Sequence, residues 1–414
     1  MTASGESSRL WPGGTCPLTD AELDELADKV AAEATVVGIG ESTRFSRETF
    51  GVRDLLFRRL VERHGFRALA LQDDVGVAAR IDRYVRLGEG SAESALAEAW
   101  RPWRTAEMAA ALLWIRAFNR DVPDDPVRIF GVKPLQARPA DYDAVYDHVR
   151  RTAPELLAEV ASHLGPIRTA HDLDEHVQRA RGTHPGRPFV DHARDALALV
   201  RSLSDLGPDD EILTRMRLIV GFHQRSVAGR DSYAGEAAEW AELILDHQER
   251  SGLRMAYWDG IAHTSAAPVV LGLAPERGPQ PTVGSVLRGF YGRRYVSVAI
   301  GFHHGDLGGT TVPAPAPDLV DAKLGEVGLP GHWLDLRAGA AAGRWDGPAK
   351  ARVISGVYRP SRDAAEHMTV PSLTDAFDVL IHIRKASPVQ VLGQAASAPP
   401  APAPSGVRRP TFLD

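Results

Sequence analysis

Near its start the chain reads Val36-Val37-Gly38-Ile39-Gly40-Glu41-Ser42-Thr43-Arg44-Phe45-Ser46-Arg47-Glu48. The apolar run 35–39 is typical of a buried strand, and a helical pattern follows from Ser46. In an open α/β sheet, ligands bind where the carboxyl end of a strand passes into a helix. Glu41 and Arg44 lie at this crossing, so the stretch predicts a functional site. The alternative is that Glu41 and Ser42 only cap the helix that follows.

The alternation of strand and helix continues up to residue 133. Helices are predicted over 50–64, 76–86 and 105–119, and buried strands over 68–71 and 127–132. Strand, helix and strand joined by short links form a βαβ unit, which favours a parallel sheet. Because parallel strands end at the same edge of a sheet, we expect one cleft to contain the polar groups at these strand ends: Glu41, Gln72, Asp73 and Lys133.

The middle of the chain, from residue 139 to 252, has no strand pattern. Helices are predicted there over 140–152, 154–164, 172–181, 189–206 and 209–250, the last with a break near Gly229, and this insertion could form a lid or wall over the cleft. Strands return over 255–258, 295–302, 333–336, 353–358 and 377–383. We therefore predict an α/β fold with a mainly parallel central sheet flanked by helices, in a single domain over 17–393. Residues 1–16 and the Pro/Ala-rich tail 394–414 are predicted to be disordered.

The bulk composition excludes several classes of protein. A 44% hydrophobic and 25% charged chain of 414 residues is typical of a soluble globular protein. The net charge of -6, without a basic cluster, argues against a nucleic-acid partner. One cysteine, Cys16, excludes an intramolecular disulfide. Neither a signal peptide nor an apolar run of about 18 residues is present, so no membrane span is expected and a cytoplasmic location is predicted.

Familiar catalytic motifs are largely missing. Ser42 has no Gly-x-Ser-x-Gly elbow around it, which argues against an acyl-enzyme serine hydrolase. Gly38-Ile39-Gly40 lacks the third glycine of a dinucleotide fingerprint. His303 and His304 follow a strand, and either imidazole could reach the cleft. No third ligand occurs at a recognisable spacing, so neither a metal nor a cofactor is predicted.

Six separated segments occur in an order that resembles one known family. They are Gly40-Glu41-Ser42-Thr43, Trp103-Arg104-Thr105-Ala106-Glu107, Gly229-Arg230-Asp231, Trp258…His263, Arg294-Tyr295…Gly301-Phe302 and Phe377-Asp378-Val379-Leu380-Ile381-His382-Ile383. In this order the chain is similar to the erythromycin esterase family, whose members hydrolyse macrolactone esters or have unassigned roles. The match is collinear from about Ala34 to Gly393.

The chain departs from this family at residues that concern the chemistry. Members usually read Gly-Glu-x-Thr-His, and the resemblance implies that this His is the general base on water; here the position is Arg44. A glutamate usually ends the second strand, where this chain has Gln72. A later strand usually ends in His-Asn-x-His, where this chain has Gly260 and keeps only the last His, His263. Asp259 replaces an apolar residue usual in the family.

The exchange of His for Arg44 has a direct physical consequence. Imidazole accepts a proton near neutral pH, whereas a guanidinium is charged at any accessible pH. Gln72 in place of Glu also removes an anionic acceptor. Together, Arg44 and Gln72 predict a pocket in which Arg44 binds an anion, instead of a pocket in which a base removes a proton. The alternative is drift in a paralogue that lost activity, with Arg44 paired to Glu41 or Asp73.

The resemblance and the strand ends together give a set of candidate site residues. Glu41, Arg53 and His263 match functional positions of the family. The candidates for catalysis are Glu41, Arg44, Asp73 and His263. The candidates for substrate binding are Arg53, Gln72, Lys133, Asp259 and His303. Each has a structural alternative: helix N-capping for Asp73 or Asp74, a solvated helix face for Arg53, and a hydrogen-bonded wall residue for His263.

Three functions compete at this point. The first is a natural-product tailoring enzyme that has left hydrolysis and catalyses cyclisation, elimination or isomerisation, with Arg44 and Arg53 stabilising an oxyanion while His263 or Glu41 moves a proton. The second is an esterase or lactonase in which His263 or Glu41 is the base. The third is a non-catalytic binding protein. The predicted partner is a small molecule with an acidic or carbonyl group; the sequence indicates no oligomeric state.

Overall fold

The computed structural model describes residues 15–135, 137–168, 186–203, 211–227, 232–337, 345–354 and 358–393. Three predictions lie outside these ranges: disorder of 394–414, the helix 172–181 and the motif Gly229-Arg230-Asp231. Residues 1–14 of the segment 1–16, predicted to be disordered, also lie outside them, whereas Cys16 is described and pairs with Trp333. The chain divides into two compact units, the first formed by residues 1–133 with 236–414 and the second by residues 134–235.

The first unit is built on a central sheet. In chain order its strands, with those of a smaller sheet, are β1 Cys16–Pro17, β2 Val36–Glu41, β3 Phe66–Asp74, β4 Arg128–Lys133, β5 Arg254–Gly260, β6 Val270–Leu271, β7 Tyr295–Asp306, β8 Thr311–Val312, β9 Gly331–Asp335, β10 Ala349–Arg352, β11 His367–Val370 and β12 Val379–Ala386. Within the described residues, the large sheet has nine strands in the order β1-β9-β12-β7-β2-β5-β3-β4, with β8 paired to β7. The strands from β12 to β4 run parallel, and β1, β8 and β9 are antiparallel. The prediction of a mainly parallel sheet is confirmed.

Helices cover both faces of this sheet. Those of the first unit are α1 Asp20–Ala31, α2 Arg47–His64, α3 Val75–Leu87, α4 Ala92–Leu96, α5 Ala106–Asp121, α11 Ile261–Thr264, α12 Val283–Tyr291, α13 Val320–Gly325 and α14 Leu373–Ala376. Those of the second unit are α6 Pro139–Thr152, α7 Leu157–Arg168, α8 Phe189–Arg201 and α9 Glu211–Val227, and α10 Ser232–Ser251 runs from the second unit into the first. None of the described helices combines the length and hydropathy that a membrane-spanning segment requires.

The two faces of the sheet follow from the alternation of side chains along each strand. On one face Ile39 and Trp258 pack with Phe57 of α2 in one apolar cluster. On the other face Tyr257 packs with Trp240 of α10 in a second cluster. Strands buried on both faces read as continuous apolar runs, which is why these strands could be recognised in the sequence.

The helix after β2 begins where the sequence pattern indicated. Ser46 caps α2, because its Oγ accepts a hydrogen bond from the backbone N–H of Thr49 at 3.3 Å. Gly65 ends the helix in the left-handed region, with φ of 66°. The alternative in which Glu41 and Ser42 cap this helix is therefore wrong.

Residues 355–357 of the predicted strand 353–358 lie outside the described residues, and the described strand nearest to it lies earlier in the chain. The structure forms β10 from Ala349 to Arg352, and the chain then leaves the small antiparallel sheet of β10, β11 and β6. Ile354 instead donates its backbone N–H to the carbonyl of Ser42 at 2.7 Å, just after β2. Ile354 thus bridges to Thr43 in the turn that carries Arg44.

The second unit is helical in its described residues and has an apolar core of its own. Tyr142, Leu164, Phe189 and Met216 lie in this core. The hydroxyl of Tyr142 is 2.8 Å from Nε2 of the buried His223. This unit corresponds to most of the predicted helical insertion.

Candidate functional site

The carboxyl ends of four adjacent strands, β2, β5, β3 and β4, lie side by side in the sheet. The register pairs Glu41 of β2 with Gly260 of β5. It also pairs Asp74 of β3 with Lys133 of β4. The polar ends of these strands therefore meet at one edge, as the sequence predicted, and this edge is where open α/β sheets bind ligands.

A bulge at the end of β3 adjusts the side chains at this edge. Leu71 pairs with Gly131 and Asp74 pairs with Lys133, so β3 takes three steps where β4 takes two. A β-carbon on Gly131 would lie 2.6 Å from the carbonyl oxygen of Asp73, so only glycine fits beside the bulge. Bulges of this kind re-aim side chains next to active sites.

The guanidinium of Arg44 lies at the centre of the strand ends. Its Nη2 donates to Oε1 of Gln72 at 2.5 Å and to Oδ1 of Asp259. Its Cζ lies 4.7 Å from the ring centroid of Trp100, within the range of a cation–π contact. The side chain of Arg44 is 9% exposed, so the group is anchored in the cleft and not in bulk solvent.

Asp259 is the anion that fixes this arginine. Its side chain is fully buried. Its Oδ1 also accepts the backbone N–H of Gly260 at 2.6 Å, and its Oδ2 accepts the hydroxyl of Tyr257. The carboxylate of Asp259 therefore accepts hydrogen bonds from three donors. Arg44 therefore pairs with Asp259, and the expected alternative of a pair with Glu41 or Asp73 is wrong.

The four departures from the resembled family form one contiguous cluster. Arg44 bonds both Gln72 and Asp259 through Nη2 and packs on Gly260. Both of these hydrogen bonds use Nη2, and among the described residues the buried Nε has no hydrogen-bond partner. The site thus contains an anchored cation that uses one of its three nitrogens, Nη2, for hydrogen bonds with the described residues.

A second charged pair, Glu41 with Arg53, lies beneath the cleft. Nη1 of Arg53 is 2.7 Å from Oε1 of Glu41, and both side chains are buried. Thr49 donates its hydroxyl to the other oxygen of Glu41 at 3.1 Å. Cζ of Arg53 lies over aromatic rings at 4.6 to 4.9 Å, those of Phe50, Trp103 and Trp258. Arg53 is therefore enclosed on all sides, and the alternative of a solvated helix face is wrong.

Burial also perturbs the Glu41 carboxyl. It raises the pKa of Glu41, and the nearby charges of Arg53 and Arg44 oppose this shift. A carboxylate in such a pair stays charged only while its arginine is present.

The two aspartates at the end of β3 have different environments. Asp74 caps α3, with its Oδ1 accepting the backbone N–H groups of Gly76 and Val77 at 2.8 and 3.0 Å. Asp73 does not cap the helix. Its Oδ2 accepts the backbone N–H of Trp100 at 2.7 Å. Burial raises the pKa of Asp73 to about 6, although hydrogen bonds and the charge of Lys133 oppose the shift.

Lys133, at the end of β4, is partly exposed. Its Nζ lies 4.7 Å from the ring centroid of Trp100 and 5.0 Å from that of Trp240. Among the described residues it makes no ion pair with a carboxylate. Burial lowers the pKa of Lys133, and Arg44 acts in the same direction against Asp259 and Asp73.

His263 lies in α11, directly after β5. Its ring centroid is 5.2 Å from that of Trp240. Burial lowers the pKa of His263, and the positive charges of Arg44 and Lys133 lower it further against Asp259. The imidazole is therefore neutral at pH 7 and able to accept a proton.

His303 is not among these residues. Its Nδ1 is 2.9 Å from Nδ1 of His304, and its ring packs so closely on Gly325 that a β-carbon there would lie 2.1 Å from the ring. The charges that act on it are those of His304, Arg384 and Arg352. Within the described ranges, no three His, Cys, Asp or Glu side chains converge in a way that would hold a metal ion.

Sequence reasoning missed two aromatic contributors. Trp240 lies beside Lys133 and His263, and no motif singled it out in its helix. Tyr257 and Asp259 lie on the same face of β5, because side chains two residues apart in a strand point to the same side. This proximity could have been predicted from the sequence. Trp100 packs against the apolar core with one part of its surface and lies against Arg44 and Lys133 with its ring.

Solved structures of similar fold cover most of the chain. A protein from Bacillus cereus is 22% identical with a TM-score of 0.64, covering 91% of this chain and 96% of that one. A succinoglycan biosynthesis protein is 21% identical, with the same coverage and TM-score. A mutant of the erythromycin esterase EreC in its open conformation is 14% identical with a TM-score of 0.57, covering 92% of this chain and 99% of that one. At these identities the likeness shows the fold.

The sequence comparison defines the family. The match to the erythromycin esterase family extends over residues 61–386, well over half of the 414 residues. Gln72, Lys133 and His263 lie within the matched range, and Glu41 and Arg44 precede it. The chain therefore belongs to the erythromycin esterase family, as its motif order indicated.

Proposed function

We propose that this chain is an enzyme that acts on a small molecule by proton transfer without hydrolysis, in a cyclisation, elimination or isomerisation. The observation that carries the proposal is the anchored guanidinium of Arg44, bonded to Gln72 and Asp259. A cation fixed before the substrate arrives stabilises a developing oxyanion without reorganisation during the reaction.

Arg44 also argues against water activation at its own position. A guanidinium does not release its proton at accessible pH and so cannot act as a base on water. Its ion pair with Asp259 fixes the guanidinium at this position. The open donors of Arg44 suit a carbonyl, carboxylate or enolate oxygen of the substrate.

The proton is moved by His263 in this proposal. Its imidazole is neutral at pH 7 because burial and the neighbouring cations lower its pKa. Asp73 is the second candidate, since a carboxyl with a pKa of about 6 exchanges protons near neutral pH. Two groups with pKa values perturbed in opposite directions are a common arrangement for acid and base roles.

The remaining predicted site residues receive supporting roles. Gln72 and Asp259 hold Arg44 and do not contact the substrate. Arg53 holds Glu41, because its side chain is enclosed by aromatic rings. The substrate we propose is a natural-product intermediate with a carbonyl or acidic group.

Ester hydrolysis is the second candidate function. Membership of the erythromycin esterase family favours it, and the neutral His263 could serve as base on water. In this case the oxyanion on Arg44 would be that of a tetrahedral intermediate.

An experiment with two readouts separates these functions. The purified chain is incubated with a panel of macrolactone and simple esters in a pH-stat, and separately with levulinate in D2O, where mass spectrometry follows exchange of the α-protons. Levulinate is the probe because it has a ketone and a carboxylate. Exchange that Arg44→Gln and His263→Ala abolish, without acid release from esters, supports the proposal. Catalytic acid release favours the esterase, and absence of both reactions favours a binding protein; either result overturns the proposal.

A further inference from the structure

Lys133 is a cleft residue that the proton-transfer scheme does not use. It ends β4 in register with Asp74, so its side chain starts at the same sheet edge as the other site residues. Its Nζ lies near two indole rings, those of Trp100 and Trp240, at 4.7 and 5.0 Å from the centroids. Among the described residues no carboxylate forms an ion pair with it.

This position is unusual for a lysine in this chain. The sequence contains five lysines: Lys29, Lys133, Lys323, Lys350 and Lys385. Lys29 and Lys350 make exposed ion pairs with Glu25 and Asp318, and Lys323 and Lys385 are exposed. The chain otherwise uses arginine for its cations, including both buried pairs described above. An arginine at residue 133 would also make cation–π contacts, so charge alone does not require a lysine there.

What distinguishes a lysine from an arginine is that its amine can lose a proton and become a nucleophile. Apolar surroundings and a neighbouring cation both favour the neutral amine. Around Lys133 the two indoles supply the first and Arg44 supplies the second. Burial is the largest effect and lowers the pKa of its ammonium group; Arg44 lowers this pKa further, while the charges of Asp259, Asp73 and Glu236 raise it.

We infer that Lys133 forms an imine with an aldehyde or ketone group of the substrate. The Nζ lone pair adds to the carbonyl carbon while the carbon–oxygen π bond breaks, and one N–H proton moves to the oxygen. The resulting carbinolamine loses this oxygen with a second proton as water, which leaves a carbon–nitrogen double bond. No oxidant, reductant or co-reactant is consumed, and addition of water reverses the step.

In this inference Asp73 supplies the proton that the loss of water requires. Its carboxyl is held by the backbone N–H of Trp100, the same residue whose ring lies near Nζ of Lys133. A carboxyl with a pKa of about 6 is partly protonated near neutral pH and can act as the acid.

The inference rests on the proposed function for its chemical purpose. A protonated imine withdraws electrons more strongly than a carbonyl and so acidifies the neighbouring C–H group. His263 would then remove that proton, and Arg44 would bind an anionic group elsewhere in the substrate. The substrate class becomes a small aldehyde or ketone with an acidic group.

The test is reductive trapping, which requires no turnover. The native protein is treated briefly at pH 7 with benzaldehyde and sodium cyanoborohydride, and the alkylated lysines are identified by peptide mass spectrometry. We expect Lys133 to be modified at least about tenfold faster than each of the other four, because its lowered pKa leaves more of its amine unprotonated at pH 7. In urea-unfolded protein, the five lysines should react at similar rates.

Two variants serve as matched controls. Lys350→Arg removes an exposed amine and should leave modification of Lys133 unchanged. Lys133→Arg should remove the fast-reacting site, with circular dichroism used to verify folding. Fast modification that persists in Lys133→Arg, or equal modification of all five lysines in the native protein, would overturn the inference.

The result is separable from the test of the proposed function. If Lys133 is not modified preferentially while levulinate exchange still depends on Arg44, the imine is excluded and the proposed function stands. If Lys133 is modified preferentially but no exchange is seen, the amine is reactive and the proposed function fails.

Discussion

The guanidinium of Arg44 lies so close to the α-carbon of Gly260 that a β-carbon on Gly260 would stand 3.0 Å from Nη2 and 3.3 Å from Cζ. Both residues depart from the resembled family, in which histidines are usual at the two positions. The space left by the missing side chain at residue 260 is thus the space that the guanidinium fills. The two substitutions act as a unit.

Gly260→Ala tests this relationship. The added methyl group must push the guanidinium away from Asp259 or Gln72, since contacts of 3.0–3.3 Å are tighter than normal carbon contacts. We expect at least about a tenfold loss of levulinate exchange, corresponding to about 1.4 kcal/mol, while the circular dichroism spectrum is unchanged. Gly235→Ala, where a β-carbon has open space, is the control. Unaltered exchange in Gly260→Ala would contradict the proposed role of Arg44.

Arg44→Lys tests the geometry of the cation and not its charge. An ammonium has a single nitrogen, whereas the guanidinium bonds Gln72 and Asp259 through Nη2 and keeps its other two nitrogens for a ligand. We expect exchange to fall by about tenfold or more, the effect of losing one hydrogen bond to a charged group. Arg44→His adds the family residue, and gain of esterase activity in this variant would indicate recent repurposing.

The buried pair of Glu41 and Arg53 should be a large determinant of stability. Arg53→Met leaves a buried carboxylate without its cation, so the free energy of unfolding should fall by about 3–5 kcal/mol. The double variant Glu41→Gln with Arg53→Met removes both charges and should be more stable than Arg53→Met alone. Urea denaturation measures the cycle. If the two single losses simply add in the double variant, the pair is not coupled.

Two buried histidines are expected to make the folded protein less stable at acid pH. His332 and His382 face each other across β9 and β12, are buried, and have no hydrogen-bond partner for either ring nitrogen among the described residues. Burial lowers the pKa of His332 to about 4, against 6.5 in the unfolded chain. Burial also lowers the pKa of His382, and His332, His303 and two arginines, Arg384 and Arg352, act in the same direction.

As the pH falls, these two histidines therefore become protonated at a higher pH in the unfolded chain than in the folded protein. The free energy of unfolding has its full value above pH 6.5 and falls between pH 6.5 and 4. The part of this fall that comes from His332 is roughly 3 kcal/mol. His332→Leu should flatten this decline, and His367→Leu, at a half-exposed site, should not. Urea midpoints measured at pH 7.5 and 4.5 test the expectation. A decline that is equally steep in His332→Leu would contradict it.

The sequence predicted the parallel sheet and the polar strand ends because both are local properties. Apolar runs, helix caps such as Ser46, and polar residues after each run are visible within about ten residues of chain. The two-residue strands β1, β6 and β8 are too short to show a period, and only their partners order them. The segment near Ile354 has a strand-like composition but is used to contact the end of β2.

The pairing of Arg44 with Asp259 could not be predicted in the same way. The two residues are 215 positions apart, and they meet because β5 lies next to β2 in the sheet. Without the strand order, Glu41 and Asp73 were equally reasonable partners for Arg44. The enclosure of Arg53 by three aromatic rings likewise depends on tertiary packing and could not be predicted from the sequence. From its position in the helix alone, Arg53 was expected to face the cleft.

The position of β5 between β2 and β3 constrains when the protein can fold during synthesis. β3 ends at Asp74 and β5 begins at Arg254, so the ribosome completes the whole helical unit before the missing central strand emerges. Until then, the facing edges of β2 and β3 have unpaired backbone groups in a nascent chain, a condition that favours aggregation or chaperone binding. Parallel pairing over such a separation is also slow. The residues of the cleft therefore assemble late, and a chain interrupted before Arg254 would contain Arg44 without the aspartate that anchors it.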